Sequence, residues 1–193
     1  EFSPDIVHLH TILGYRSISP AVLLPFKKNN IPIVQTLHDF GLLCPASFFL
    51  SPNKKTCESC KGKRFYYCVL KNCRLSVTRS CVAALSSYVA EYLYHYDDLI
   101  SYYIAPSNFL YNKFIEFGFR QEKFVVLRNA YFYDIHANFS ENLRRDYILY
   151  SGRLSYEKGV DVLIRASKGL NAKVIIAGDG PERVKLQELT ASL

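Results

Sequence analysis

"YILYSGRLSYEKGVDVLIRASKGLNAKVIIAGDGP", residues 147–181, decides how the rest of the chain is read. A short apolar run (147–151) ends in Gly152 and Arg153. A segment with Val160, Leu163 and Ile164 at helical spacing follows, and a second apolar run (173–178) then gives way to Asp179 and Gly180. Short apolar runs alternating with segments of period 3.6 predict strand, helix, strand, and that order predicts parallel pairing through a crossover helix.

The same alternation extends upstream. Residues 5–10, 31–37, 99–105 and 123–128 read as further strands, and 18–28, 82–96, 107–117, 158–168 and 181–190 as helices. Ser107 suits an N-cap, Gly118 and Gly169 suit helix ends, and Pro181 suits a first helical residue with Glu182 beside the positive dipole end. The fold class is therefore α/β, with parallel sheets. Residues 129–146 lose the periodicity and gather Asn, Asp and Arg, which predicts a linker between a first domain at 1–128 and a second at 147–193. Two strand-helix pairs are too few to close the second domain, and 5–10 follows almost at once on the start of the chain. Both domains are expected to be incomplete, as in the middle of a larger protein.

Of the 193 residues, 49% are apolar, which predicts a globular protein with a sizeable core. No apolar run approaches the ~20 residues needed to span a bilayer, and no basic-then-apolar leader opens the chain, so a cytoplasmic location is expected. The net charge of +7 is uneven. Residues 54–79 hold eight Lys or Arg against Glu58 alone, and the remaining sixteen basic and sixteen acidic residues cancel. An anionic partner, if there is one, meets this stretch.

In open parallel sheets, ligands bind outside the carboxyl ends of the strands. His10, His38 with Asp39, Ser107, Gly152 with Arg153, and Gly178 to Gly180 all fall at such ends, and two such edges predict a cleft between the domains. Arg153 and Lys158 together suit phosphate, with the helix start at 158 adding partial positive charge and with Gly152 and Gly159 allowing close backbone approach. At an effective dielectric of about 20, a cation ~4 Å from a phosphate charge gains ~4 kcal/mol before desolvation. The alternative is that both cations pair with Glu157 or Asp161 on the surface. The glycine spacing matches neither the dinucleotide fingerprint nor the P-loop, which argues against a dehydrogenase or a nucleoside triphosphatase.

With these motifs in hand, "YILYSGRLSYEKGVDVLIRA" and "KVIIAGDGPER" resemble the donor half of the retaining glycosyltransferases of family 4, also called group 1, which have the two-domain GT-B fold. "PDIVHLH", "IPIVQTLHDFGLLCP", "IAPSNFLYNKFIEFGF" and "EKFVVLRNA" resemble the later part of that family's acceptor domain. The resemblance implies two Rossmann-like domains and transfer of a sugar from a nucleotide-sugar donor to a glycan or lipid-linked acceptor with retention. It implies that Arg153 and Lys158 hold the donor diphosphate, that Gly178, Asp179 and Gly180 border the nucleotide, and that His38 faces the sugar. His10, Asp39 and Ser107 would line the cleft. No catalytic metal is implied. The chain has Asn129-Ala130 where the family usually has Asn-Gly, and it lacks a counterpart of the family's downstream glutamates, so the polypeptide as given is expected to be inactive.

All six cysteines lie between Cys44 and Cys81, within an insertion at 41–81. Cys57-x2-Cys60 has the bite of a zinc knuckle, and Cys68 and Cys73 could complete a tetrahedral set, with Cys44 as an alternative ligand. Free buried thiols or disulfides are the other readings. After the insertion, Val82, Leu85, Val89 and Leu93 predict an apolar face by which 82–96 packs inward. The basic insertion next to tyrosine-rich sequence also suits contact with an anionic membrane at its inner face. A competing assignment, a non-catalytic module using zinc, basic residues and tyrosines to bind nucleic acid, accounts for 54–103 but leaves 147–183 unexplained; nucleic acid is not expected as a partner.

Overall fold

The computed structural model describes residues 3–10, 19–130 and 147–193. They fall into two compact units, one within Glu1–Tyr131 and the other within Phe132–Leu193. The predicted linker lies, from residue 131 onward, outside the described residues.

The first unit is built on a four-stranded parallel sheet: β1 (Val7–Leu9), β2 (Ile33–Thr36), β3 (Tyr102–Ala105) and β4 (Phe124–Val126), ordered as in the sequence. The register pairs Val7 with Ile33, Val34 with Tyr102, and Tyr103 with Phe124. The crossover from β1 to β2 ends in a 3-10 turn (Pro20–Leu23) and helix α1 (Leu24–Lys28); that from β3 to β4 is α5 (Asn108–Glu116). Ser107 caps α5 as expected, its hydroxyl accepting from Leu110 N at 3.2 Å. Gly118 (φ +93°) ends that helix in the left-handed region, where a Cβ is costly.

The sheet is held by aromatic packing. Tyr103 and Phe114 are fully buried, Tyr103 stacks on Phe124 with centroids 5.0 Å apart, and Phe119 meets Phe114 edge-on at 5.0 Å. A buried polar pair crosses this core, the Tyr96 hydroxyl donating to Gln35 Oε1 at 3.1 Å, which satisfies two groups that would otherwise be costly to bury.

Between β2 and β3 lie the cysteine-rich insertion and helices α2 (Tyr66–Leu70), α3 (Val77–Tyr88) and α4 (Tyr96–Leu99), with a single π-type turn at Val89–Leu93. Six non-glycine residues of the insertion, Ser47, Phe49, Lys54, Lys63, Asn72 and Leu75, hold positive φ. Such conformations are individually unfavourable, so outside restraints must hold the chain in them. Two ion pairs of 2.8 Å, Lys61 with Glu116 and Lys113 with Glu58, tie the insertion to α5. A small core of Cys60, Phe65, Cys68 and Ala84 fills its interior.

Helix α3 corrects the sequence-based expectation. It begins five residues earlier, and it buries its small side, Ser80 and Ala84, followed by Ala90 in the π-type turn. Val82 and Leu85, which periodicity assigned to the packed face, are each 64% exposed, and Leu93 is 67% exposed. The reason is steric. The close approach of α2 leaves room for Ala84 beside Cys68 and Phe65, and the Ser80 hydroxyl is taken up by Arg74 N (3.1 Å) and Asn72 Oδ1 (3.3 Å).

The second unit pairs β5 (Tyr147–Ser151) with β6 (Lys173–Ala177) in parallel, in register from Tyr147 with Lys173 to Ser151 with Ala177. Helices α6 (Val160–Ala166) and α7 (Arg183–Ala191) bury Val160, Ile164 and Leu186 around Leu154. The loop after α6 turns at Gly169 (φ +83°) as expected. Helix α7 starts two residues later than expected, because Pro181 and Glu182 form a turn in which Arg183 N donates to Gly180 O at 3.1 Å.

Phe114→Ala removes the centre of the aromatic core. It should lower stability of the first unit by about 3–5 kcal/mol, read as accelerated amide exchange in β3 and β4 with exchange in β5 and β6 unchanged.

Candidate functional site

Beyond their last paired residues, β5 and β6 remain tied. Gly152 N donates to Ala177 O (3.0 Å), Leu154 N to Asp179 O (2.9 Å) and Glu182 N to Leu154 O (3.0 Å), so sheet-like pairing runs on into the loops. The approach is too close for side chains. A Cβ on Gly178 would stand 1.8 Å from Gly152 O, and one on Gly180 would stand 2.4 Å from Leu154 O. These two glycines are therefore required by the neighbouring loop, whatever ligand lies outside it. The other two glycines have different reasons. Gly159 (φ +62°) has no atom within 4 Å of a notional Cβ and serves the left-handed turn, while Gly152 meets only the Tyr150 ring, whose hydroxyl donates to Arg153 O at 2.9 Å.

This pairing fixes where the two cations emerge. Leu154 and Ser155 are buried, anchoring the loop, and Arg153 and Lys158 on either side are exposed. Lys158 ends a 3-10 turn (Tyr156–Lys158) and precedes Gly159, so it lies before α6 and not within its first turn. Neither cation has an ion-pair partner among the described residues. The Glu157 carboxylate accepts instead from the Ser155 hydroxyl at 2.5 Å, so the surface pairing set out as an alternative above is not formed. Asp179 is committed locally, its Oδ1 accepting from Gly180 N at 2.8 Å and facing Arg183 at 3.6 Å.

In the first unit, parallel pairing of β1 and β2 brings together two of the expected cleft residues. His10 Nδ1 and His38 Nε2 are 2.8 Å apart, with rings inclined by only 15°. Between neutral imidazoles one nitrogen must donate and the other accept, so the tautomers of His10 and His38 are coupled. His8, whose ring lies 4.6 Å from that of His10, hydrogen-bonds Thr36 Oγ1 at 2.8 Å. The part of Thr36 was not legible in the sequence, since it depends on strand register. Asp39 and Ser107 are occupied by backbone, the first accepting from Gly41 N at 2.7 Å and the second capping α5.

The cysteines are all free thiols. Cys44 packs in the main core, Cys60 and Cys68 in the insertion core, and Cys73 touches both. Among the described residues, no group of three or more His, Cys, Asp or Glu stands where it could hold a metal ion. The thiols differ in chemistry. Burial, reinforced by neighbouring thiols, pushes Cys60 and Cys68 up to about 12. Burial also acts to raise Cys57, but hydrogen bonds with Ser59 and the Lys71 ammonium, 3.4 Å from its sulfur, outweigh it and leave this thiol below its usual range.

Parallel sheets with crossover helices, and polar residues gathered at the carboxyl ends of strands, define an α/β protein of Rossmann-like design. Comparison with known proteins narrows this further. Residues 133–193 match the model of the family described as glycosyl transferases, group 1. An uncharacterized glycosyltransferase of Methanocaldococcus jannaschii is 38% identical over 79 residues, covering 34% of this chain and 20% of that protein. The chain thus spans about a fifth of the length of the curated relative it matches. No solved structure matches it.

Two outcomes are expected. Gly178→Ala should destabilise the second unit by more than the ~1–3 kcal/mol typical of overpacking, since the obstacle is backbone, whereas Gly159→Ala should cost only the ~1–2 kcal/mol of a left-handed residue; amide exchange in β6 reads both. Alkylation near pH 7 followed by mass spectrometry should modify Cys57 and the exposed Cys81 first and Cys60 and Cys68 last, because the thiolate is the nucleophile, and Lys71→Met should slow Cys57 several-fold.

Proposed function

We propose that this chain is part of a retaining glycosyltransferase, which moves a sugar from a nucleotide-sugar donor to a glycan or lipid-linked acceptor. The observation that carries the proposal is the pair Arg153 and Lys158, exposed, free of ion pairs among the described residues, and flanking the buried anchor Leu154-Ser155 within the segment that matches the family model. A diphosphate leaving group gains negative charge as its bond to the sugar breaks. Two cations at the edge of a sheet stabilise that charge more in the transition state than in the ground state, which is what accelerates the step.

In this mechanism Arg153, with its planar fork of donors, binds the diphosphate oxygens, and Lys158 adds a mobile point charge. Asp179 and the two glycines of the second loop border the nucleotide, their backbone held by the paired loops. The acceptor hydroxyl attacks from the face the diphosphate is leaving, the centre passing through an oxocarbenium-like state, and the departing phosphate oxygen takes the hydroxyl proton. Configuration is retained without a covalent enzyme intermediate. Within the first unit, His10 restricts His38 to the tautomer complementary to its own.

The test is titration of the chain with uridine and guanosine diphosphates, followed by amide chemical shifts. Shifts should concentrate at residues 152–159 and 178–180, and Arg153→Ala and Lys158→Ala should each weaken binding about tenfold or more, in line with ~1.5–3 kcal/mol for a hydrogen bond to a charged group. Unaltered affinity in both variants would overturn the assignment.

A further inference from the structure

The outward face of α3 is unusual for a helix packed on a core. A soluble amphipathic helix turns its larger apolar residues inward; here the small residues Ser80, Ala84 and Ala90 are buried, and Val82, Leu85, Tyr92 and Leu93 face out. Leu75, just ahead of the helix, is 77% exposed as well. The wide π-type turn at Val89–Leu93 continues the stripe past the end of α3.

The charge around this stripe is predominantly basic, even with Lys61 and Lys63 paired to Glu116 and Glu91. From Ser59 to Ala90 there are six Lys or Arg and no Asp or Glu. Arg79 is exposed one turn before Val82 on α3, and Lys71 is exposed next to Leu70, itself 73% exposed. The nearby carboxylates are neutralised: Glu91, adjacent to Tyr92, is paired with Lys63, and Glu58 is paired with Lys113.

From this we infer that the α3 face and its basic border dock onto an anionic lipid bilayer. The exposed side chains enter the interfacial zone while the cations meet lipid phosphates and carboxylates. No helix among the described residues is long and apolar enough to cross a membrane, so the contact is one of lying on the surface. Charge decides against a second copy of the chain, because that contact would bring two cationic segments together. Side-chain chemistry decides against nucleic acid, because Val82, Leu85 and Leu93 have no planar face for a base, and the Tyr92 ring already stacks on Tyr88 with centroids 6.0 Å apart. This inference does not depend on the donor site.

The experiment is co-sedimentation of the 193-residue chain with vesicles of phosphatidylcholine alone or with about one third phosphatidylglycerol, at low and high salt, alongside sedimentation velocity without lipid. Binding should require phosphatidylglycerol and fall at least tenfold in high salt. Val82→Glu with Leu85→Glu, and separately Lys71→Glu with Arg79→Glu, should each reduce it at least tenfold. All four residues are exposed, and an unchanged circular dichroism melting curve verifies that each variant folds. Equal binding to neutral and anionic vesicles would overturn the proposal. So would absence of binding to the anionic vesicles; a dimer abolished by Val82→Glu, or salt-sensitive RNA binding abolished by Lys71→Glu with Arg79→Glu, would then identify the occupant instead.

Discussion

The second unit depends on a contact between two stretches of backbone. Gly152 and Leu154 on one loop and Gly178 to Glu182 on the other lie so close that hydrogen-bonded pairing continues past the strands, and only glycine at 178 and 180 allows it. This contact turns a flexible strand-end loop into a fixed shelf. Leu154 is driven into the core with Val160, Ile164 and Leu186, and the residues on either side of the buried Leu154-Ser155 pair are pushed outward. Arg153 and Lys158 are therefore presented by packing, not by pairing with neighbouring acids.

The first unit uses parallel pairing in a similar way, to assemble groups distant in sequence. His10 and His38 are 28 residues apart and meet only because β1 and β2 pair in the observed register. A one-residue slip would put the imidazoles on opposite faces. The aromatic cluster around Tyr103 and Phe114 holds β3 against β4 and α5, and the Gln35 to Tyr96 hydrogen bond adds a directional contact beneath β2. Fold and candidate site share one cause, since the hydrogen bonds that set the register also align the strand ends.

The insertion follows different rules. Its backbone is irregular, with positive φ at residues that do not favour it, and it is held by thiol-lined packing and by ion pairs to α5. Burial keeps Cys60 and Cys68 protonated and chemically quiet, while hydrogen bonds with Ser59 and then Lys71 lower Cys57, so neighbouring cysteines in one segment differ in reactivity through environment alone. The insertion also brings α2 up against α3, which sets the orientation of α3 and leaves an apolar stripe on the surface.

The sequence by itself determined the alternation of strand and helix, the parallel class of the sheets, the Ser107 cap, the turns at Gly118 and Gly169, and the row of polar residues at strand ends. All of these follow from local periodicity and from the backbone preferences of single residues, which act over a few positions. What only the tertiary structure decided was which face of α3 is buried, why Gly178 and Gly180 must be glycine, which histidine meets which, and how Cys57 differs from Cys60 and Cys68. Those depend on the shape and charge of segments tens of residues away, and a periodic pattern specifies a helix face without specifying what will pack against it.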